Sequence, residues 1–356
     1  MIDLRDVLER LLQRRDLPQT EAGELLVALT DAATAPAMAG ALLAALRVKG
    51  VTADEVRGFA GAMRSLARRP QLPPGPPAID IVGTGGDASG SFNLSTGAAL
   101  LVAAMGVRVV KHGNRSVSSR AGSADMLEAL GLGLPLDERA SGECLAATGF
   151  TFLFAPHYHP AMKEIAPVRR ELGVRTVFNL LGPLTNPAAP PFALIGAYSL
   201  EAAELMAESL AGMPVERVFV VHGTAGWDEA TPVGPFELFD VRPGRVSREQ
   251  RDPLDLGVPR CATADLAGGN PAENAAALRA VFEGRDRGAH RDALALNAAL
   301  ALEVTGKVSS CAEGIAAAHS AIDRGDAARL VTRLAEFGPT PGQPDAPAVK
   351  HRDLQA

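Results

Sequence analysis

The sequence predicts an α/β protein, with a small N-terminal helical domain and a larger α/β domain built on a mostly parallel central sheet. Three observations predict it. Residues 1–69 carry apolar side chains at helical spacing. A proline-rich break follows at 70–77. Beyond it, short apolar runs alternate with helical stretches, the pattern of parallel strands joined by helices.

Leu4, Val7, Leu8, Leu11 and Leu12 mark the first helix, with Arg and Glu on its other face. Three more are expected over 20–33, 36–48 and 52–68, with Thr20 and Glu21, then Thr52 and Glu55, as start signals. The bundle's apolar content is high for short helices, which raises a dimer surface as a hypothesis. Five prolines in Pro70–Pro77 then favour an extended, semi-rigid hinge. The α/β domain is expected over 78–338. Its strands are expected at Ile79–Val82, Val107–Val110, Phe152–Ala155 and Arg217–Val221. Helices are expected over 95–105, 124–130, 138–148, 160–171, 272–283 and 291–304. Residues 339–356 are rich in Pro and Ala with few large apolar groups and read as a disordered tail.

The 356 residues are 47% hydrophobic and 21% charged, which fits an ordinary globular protein. A net charge of −6 argues against a nucleic-acid protein working by bulk charge, yet leaves room for local basic pockets. Cys144, Cys261 and Cys311 are odd in number and far apart, suggesting neither disulfides nor a zinc cluster. Asp3, Arg5, Asp6 and Glu9 at the start do not read as a signal peptide, and no run reaches a membrane span. A cytoplasmic protein is expected.

The chemistry centres on Ala78–Thr96. A strand ends in Gly83-Thr84-Gly85-Gly86-Asp87, and Asn93, Ser95 and Thr96 then offer caps for the next helix. Strand, glycine loop and helix N-terminus together make an anion cradle. Gly83-x-Gly85-x-x-Ala88 meets the loose dinucleotide pattern. However, the helix starts late, and the next strand ends in Lys111-His112 where an acidic residue would hold a ribose. Gly85-x4-Gly90-Ser91 has P-loop spacing but no lysine. A turn that binds nothing remains an alternative at this point. A second loop, Lys111–Ser123, crowds donors from Lys111, His112, Asn114, Arg115, Ser116, Ser118, Ser119, Arg120 and Ser123 around Gly113 and Gly122. A solvated polar loop would look similar, but two such loops leaving parallel strands would open at one sheet edge. Asp228-Glu229 is expected in a third loop there, either as solvated surface or as a Mg²⁺ site. Arg169 has the fork of donors that clamps a carboxylate.

These stretches resemble the anthranilate phosphoribosyltransferase family. The resemblance rests on Gly83–Asp87, Asn93-x-Ser95-Thr96, Lys111–Ser119, Gly122–Gly131, His159–Lys163, Arg175–Pro187 and Asp228-Glu229, in the family's order, with Arg47–Gly50 in the helical start. It covers about residues 1–335. It implies a fold of the nucleoside-phosphorylase/phosphoribosyltransferase type, with the site between the domains and a segment near 165–187 packing back on the helical domain. The implied reaction moves the phosphoribosyl group of phosphoribosyl pyrophosphate (PRPP) to anthranilate's amine in tryptophan biosynthesis. About two Mg²⁺ ions per site and a homodimer are also implied. By position, PRPP falls to Gly83, Gly86, Asp87, Ser91, Asn93, Ser95, Thr96, Lys111, His112, Gly113, Asn114, Arg115, Ser116, Ser118, Ser119 and Ser123. Anthranilate falls to Gly83, Asn114 and Arg169, with His112 and His159 lining its pocket. Ser95, Asp228 and Glu229 are the metal positions, and no general base is assigned. Ser91 replaces the more usual threonine, Arg120 a common lysine, and Ala225 and Trp227 alter the approach to Asp228. The alternatives are an enzyme like pyrimidine-nucleoside phosphorylase, or a non-catalytic relative binding nucleotides or nucleic acid.

Overall fold

The computed structural model describes residues 2–86, 90–115 and 120–337. Asp87, Ser116, Ser118, Ser119 and the segment 339–356 lie outside the described residues.

The chain begins with α1 (Leu4–Leu12), α2 (Gln19–Leu29), α3 (Pro36–Lys49) and α4 (Ala53–Leu66). Thr52 caps α4 in a reciprocal box with Glu55, as the sequence suggests. The signal at Thr20 fails: α2 starts at Gln19 behind Pro18, with no side-chain cap. Glu55 also anchors the bundle's interior, accepting from the Leu17 amide at 2.9 Å and pairing with Lys49 at 2.9 Å. The proline-rich connector is pinned along its length. The Gln71 amide donates to the Glu138 carbonyl at 2.8 Å, and Arg108 donates to the carbonyls of Pro73 and Pro76.

The larger part runs β1 (Ile79–Gly83), α5 (Leu94–Ala104), β2 (Val109–Gly113), α6 (Ser123–Ala129), α7 (Glu138–Thr148) and β3 (Phe150–Phe154). It continues through α8 (Ala155–Tyr158), α9 (Met162–Leu172), α10 (Phe178–Leu184), β4 (Phe192–Gly196), α11 (Leu200–Ala211) and β5 (Arg217–Gly223). It closes with β6 (Phe236–Arg242), β7 (Arg245–Arg251), α12 (Pro271–Phe282), α13 (Ala289–Val304), α14 (Cys311–Asp323) and α15 (Asp326–Leu334). The sheet order is β3-β2-β1-β4-β5-β6-β7, parallel from β3 to β5 and antiparallel at β6 and β7. A mostly parallel sheet is therefore present, with β4 at its centre.

Two apolar cores lie on its faces. Leu194, Phe219, Val221 and Leu238 point to one, with α5, α6 and α12–α15. Ala193, Ile195, Val218, Val220, Phe239 and Val241 point to the other. This alternation is what buries both faces of a strand. The second core is continuous with the helical bundle, through Ile165, Val168, Phe178 and Leu181 on α9 and α10. α9 packs on α3, and α10 on α4.

Two strand positions differ from expectation. The strand expected at Val107–Val110 occupies Val109–Gly113, and that expected at Phe152–Ala155 occupies Phe150–Phe154. Lys111 and His112 look polar but are buried in β2, because partners for both lie inside the protein. The second loop thus starts at Asn114.

Candidate active site

β1 is the switch point of the sheet. Its chain leaves toward β2 on one side, while β4 pairs on the other in register, Gly83 opposite Gly196. A crevice outside the carboxyl ends of such strands is where α/β proteins bind ligands. Here the Asp228-Glu229 loop crosses it. A Cβ on Gly196 would stand 1.4 Å from the Asp228 carbonyl oxygen, and one on Gly83 would stand 2.6 Å from Asp228 Oδ2. Both glycines are therefore required by close approach.

The carboxylates are held by backbone amides. Asp228 Oδ2 accepts from the Gly85 amide at 2.7 Å, and Glu229 Oε1 accepts from the Ser95 amide at 3.1 Å. Ser95 lies in the first turn of α5, whose positive end favours a carboxylate. From behind, Asn297 on α13 donates to the Ala230 carbonyl at 2.7 Å and fixes the loop's exit. Trp227 is buried in the core beside it, so this departure from the family pattern adds packing next to the Asp228-Glu229 pair. Asp228 and Glu229 are 6% and 9% exposed.

Lys111 on β2 is a buried cation that feels this acidic pair. Its Nζ donates to the Ile81 carbonyl and to Ser95 Oγ, the latter at 3.3 Å. Burial lowers its pKa to about 8, against the opposing pull of Asp80, Glu229 and Asp228. Asp80, on the same strand as Gly83, is pushed up to about 6 by burial, with Lys111 acting to lower it. Its oxygens accept from the His112 amide at 3.2 Å and from Asn186 Nδ2 at 2.8 Å. Asn186 also donates to the Val110 carbonyl at 2.7 Å, so one amide ties β1 and β2 to the segment after α10.

His112 and His159 meet edge to face, with ring centroids 5.0 Å apart. His112 Nδ1 lies 3.1 Å from the Gly182 carbonyl. A carbonyl only accepts, so Nδ1 carries the proton and Nε2 keeps its lone pair. Nε2 is buried without a hydrogen-bond partner among the described residues. Burial, then the neighbouring His159, lowers His112 to about 3; burial lowers His159 to about 4. Both rings are neutral near pH 7.

Two family models match the chain. One, described as glycosyl transferase family, a/b domain, covers residues 75–328; the other, glycosyl transferase family, helical bundle domain, covers residues 5–67. Anthranilate phosphoribosyltransferase of Desulforudis audaxviator is 46% identical over 335 residues, 94% of this chain and 96% of that one. The enzyme of the same name from Methylobacterium nodulans is 50% identical over 298 residues, 84% of this chain and 88% of that one. The chain belongs to the anthranilate phosphoribosyltransferase family. The crystal structure of the Thermus thermophilus enzyme superposes with a TM-score of 0.87 at 44% identity, covering 93% of this chain and 99% of that one. The Saccharomyces cerevisiae enzyme, in complex with PRPP and Mg, superposes at 0.85 with 28% identity, covering 94% and 97%.

Within this anthranilate phosphoribosyltransferase fold, the remaining expected residues fall into three groups. Gly83, Gly86, Ser95, Thr96, Lys111, His112 and Gly113 gather at the carboxyl ends of β1 and β2 and the start of α5. Thr96 is buried, its hydroxyl unpartnered among the described residues. Gly113 is needed because a Cβ there would meet Ser123 Oγ at 2.4 Å and the Phe152 ring at 2.8 Å. A second group is committed to holding loops. Asn93 occupies the N-cap position of α5 but makes no side-chain cap bond. Its amide donates to the Ala121 carbonyl at 3.1 Å and its oxygen accepts from Asn274 at 2.8 Å, joining three segments. Ser91 bridges to Ala267, and Ser123 Oγ donates to the Asn114 carbonyl at 3.1 Å. Asn114 Oδ1 accepts from the Arg115 amide at 2.7 Å. Arg115 pairs with Asp125 and Glu128 and lies over the Phe154 ring. In the third group, Arg169 lies on α9 with its guanidinium 5.0 Å from the Phe178 ring centroid. It forms no ion pair among the described residues, and burial lowers its pKa.

Asp80, Asn186 and Gly196 help to hold the site but were not singled out from the sequence. A carboxylate inside the apolar run Ile79–Val82 was the available signal for Asp80, since such a group needs buried partners.

Proposed function

We propose that this chain transfers the phosphoribosyl group of PRPP to the amine of anthranilate and releases pyrophosphate, in tryptophan biosynthesis. The observation that carries the reading is the convergence of Gly83, Ser95, Lys111 and the Asp228-Glu229 pair at the sheet's switch point.

The donor set fits magnesium. Asp228 and Glu229 offer hard oxygens beside Ser95, and no group of three or more His, Cys, Asp or Glu side chains suited to a metal occurs among the described residues. Magnesium characteristically takes one or two carboxylates and completes its shell with water and substrate phosphate. Bound there, about two Mg²⁺ ions per site would supply positive charge against the pyrophosphate as it departs. Lys111 adds a buried cation at the same edge, worth more for being shielded from water. The end of the glycine loop at Gly86 and the N-terminus of α5 receive phosphate oxygens.

Anthranilate is placed between Gly83, Asn114, His112, His159 and Arg169. Arg169, without a carboxylate partner among the described residues, takes the substrate's. His112 Nε2 accepts a hydrogen bond from the amine. With a pKa of about 3 that ring is a poor base, and none is needed, because an aryl amine is neutral near pH 7. Catalysis then rests on positioning and on charge at the leaving group. Closure of the helical part over 1–69 on the α/β part over 78–338 completes the proposed mechanism by excluding water. A cytoplasmic homodimer joined through the helical part completes the reading. No helix among the described residues is long and apolar enough to cross a membrane.

The test is the double variant Asp228→Ala with Glu229→Ala, assayed for pyrophosphate release over a Mg²⁺ titration. It should lose at least about 100-fold in kcat and require more Mg²⁺. Full turnover at low Mg²⁺ would remove the metal role.

A further inference from the structure

We propose that Arg175 is a positioning residue for PRPP, a clasp that fixes the glycine loop against the helical bundle. The proposal rests on the reading of Gly83–Gly86 as part of the PRPP site. Arg175 lies in the short linker between α9 and α10, just after Gly173 ends α9 in a left-handed turn. Both its backbone and its side chain are engaged. Its carbonyl accepts from Arg47 Nη1 on the last turn of α3, and its Nη2 donates to the Gly86 carbonyl. Its guanidinium stacks 4.0 Å from the ring centroid of Tyr198, which follows β4.

Among the described residues, Gly85, Thr84 and Gly86 each tie the glycine loop in place. Gly85 donates its amide to Asp228 at 2.7 Å. Thr84 donates its amide to the Gly196 carbonyl at 2.9 Å, and Thr84 Oγ1 accepts from the Tyr198 amide at 3.1 Å. Both ties stay within the α/β part. Of the three, only the tie at Gly86 reaches α3, by way of Arg175 and Arg47. Gly85 and Gly86 both have positive φ, 66° and 75°, so this stretch of backbone is open to other conformations once released. A planar guanidinium that stacks and donates at once suits this task, and an ammonium does not.

The experiment measures PRPP binding calorimetrically with Mg²⁺, and both KM values, for the wild type, Arg175→Ala, Arg175→Lys, Arg47→Ala and the double alanine variant. Melting temperatures establish that each is folded; Arg175 and Arg47 are exposed, so folding should survive. Arg175→Ala should weaken PRPP binding about tenfold and leave the anthranilate KM within about twofold. Arg175→Lys should recover part of that loss by restoring a donor. Arg47→Ala should weaken PRPP binding about threefold alone and add nothing in the Arg175→Ala background, because it acts through the same tie. PRPP affinity unchanged in Arg175→Ala, equal loss for both substrates, or additive losses would each overturn the clasp. A folded wild type that does not bind PRPP would overturn the functional reading itself.

Discussion

Gly196 and Gly83 face each other across β4 and β1, and the space above both is occupied by Asp228. A methyl group at Gly196 would force the Asp228 carbonyl to move by more than an ångström, and the carboxylates would move with it. Gly196→Ala should therefore lower kcat by about 100-fold and stability by about 1–3 kcal/mol. Steady-state kinetics and denaturant unfolding check both; near-normal kcat would mean that the carboxylates are not held from beneath. Gly83 was legible in the sequence because it opens a glycine-rich run. Gly196 was not, because a single glycine ending the apolar run Phe192–Ile195 gives no sign of what lies over it. Lys111 shows the opposite failure. Its charge reads as loop, yet it is buried in β2, where the Ile81 carbonyl and Ser95 Oγ accept from it and Asp80, Glu229 and Asp228 oppose the cost of burial.

Strands and helices explain which parts were readable. α7 falls at Glu138–Thr148 as expected, since Asp137 caps it and Gly149 ends it in a left-handed turn. β4, β6 and β7 were not expected. β4 is only five residues long and buried centrally, and β7 is an exposed edge strand rich in arginine with no apolar alternation. The ends of β2, β3 and α10 meet at the His112–His159 pair, and this local packing has a pH consequence. In the fold these rings resist protonation down to about 3 and 4, while in the unfolded chain they titrate near about 6.5. As pH falls below 6.5 the unfolded state therefore takes up protons that the fold refuses, and stability is lost. Asp80 acts oppositely, since its raised pKa of about 6 lets the fold bind a proton before the unfolded chain does. Two histidines against one carboxylate leave a net loss of about 1.4 kcal/mol per pH unit between about 6 and 4.5. The urea midpoint should drop over that range, and His159→Gln should flatten it. A rise on acidification would contradict the buried neutral pair.

At the scale of the molecule, the helical bundle is not an isolated domain, because its core continues through α9 and α10 onto one face of the sheet. The sequence shows the break at 70–77 clearly. Composition and spacing do not show that residues a hundred positions later complete the bundle's core; only the family resemblance implied that a segment near 165–187 packs back on it. The bundle also leaves Leu12 and Val48 exposed at 62% and 73%. In the proposed homodimer these are covered, so Val48→Asp should yield monomers in light scattering; an unchanged mass would move the interface elsewhere.

In the proposed reaction, PRPP and anthranilate are joined in the crevice at the sheet's switch point. The most direct measurement follows anthranilate fluorescence as PRPP is added to the folded protein with Mg²⁺. Fluorescence should fall in step with PRPP, and the fall should stop when Mg²⁺ is chelated. Steady fluorescence with both substrates and Mg²⁺ present would contradict that reaction.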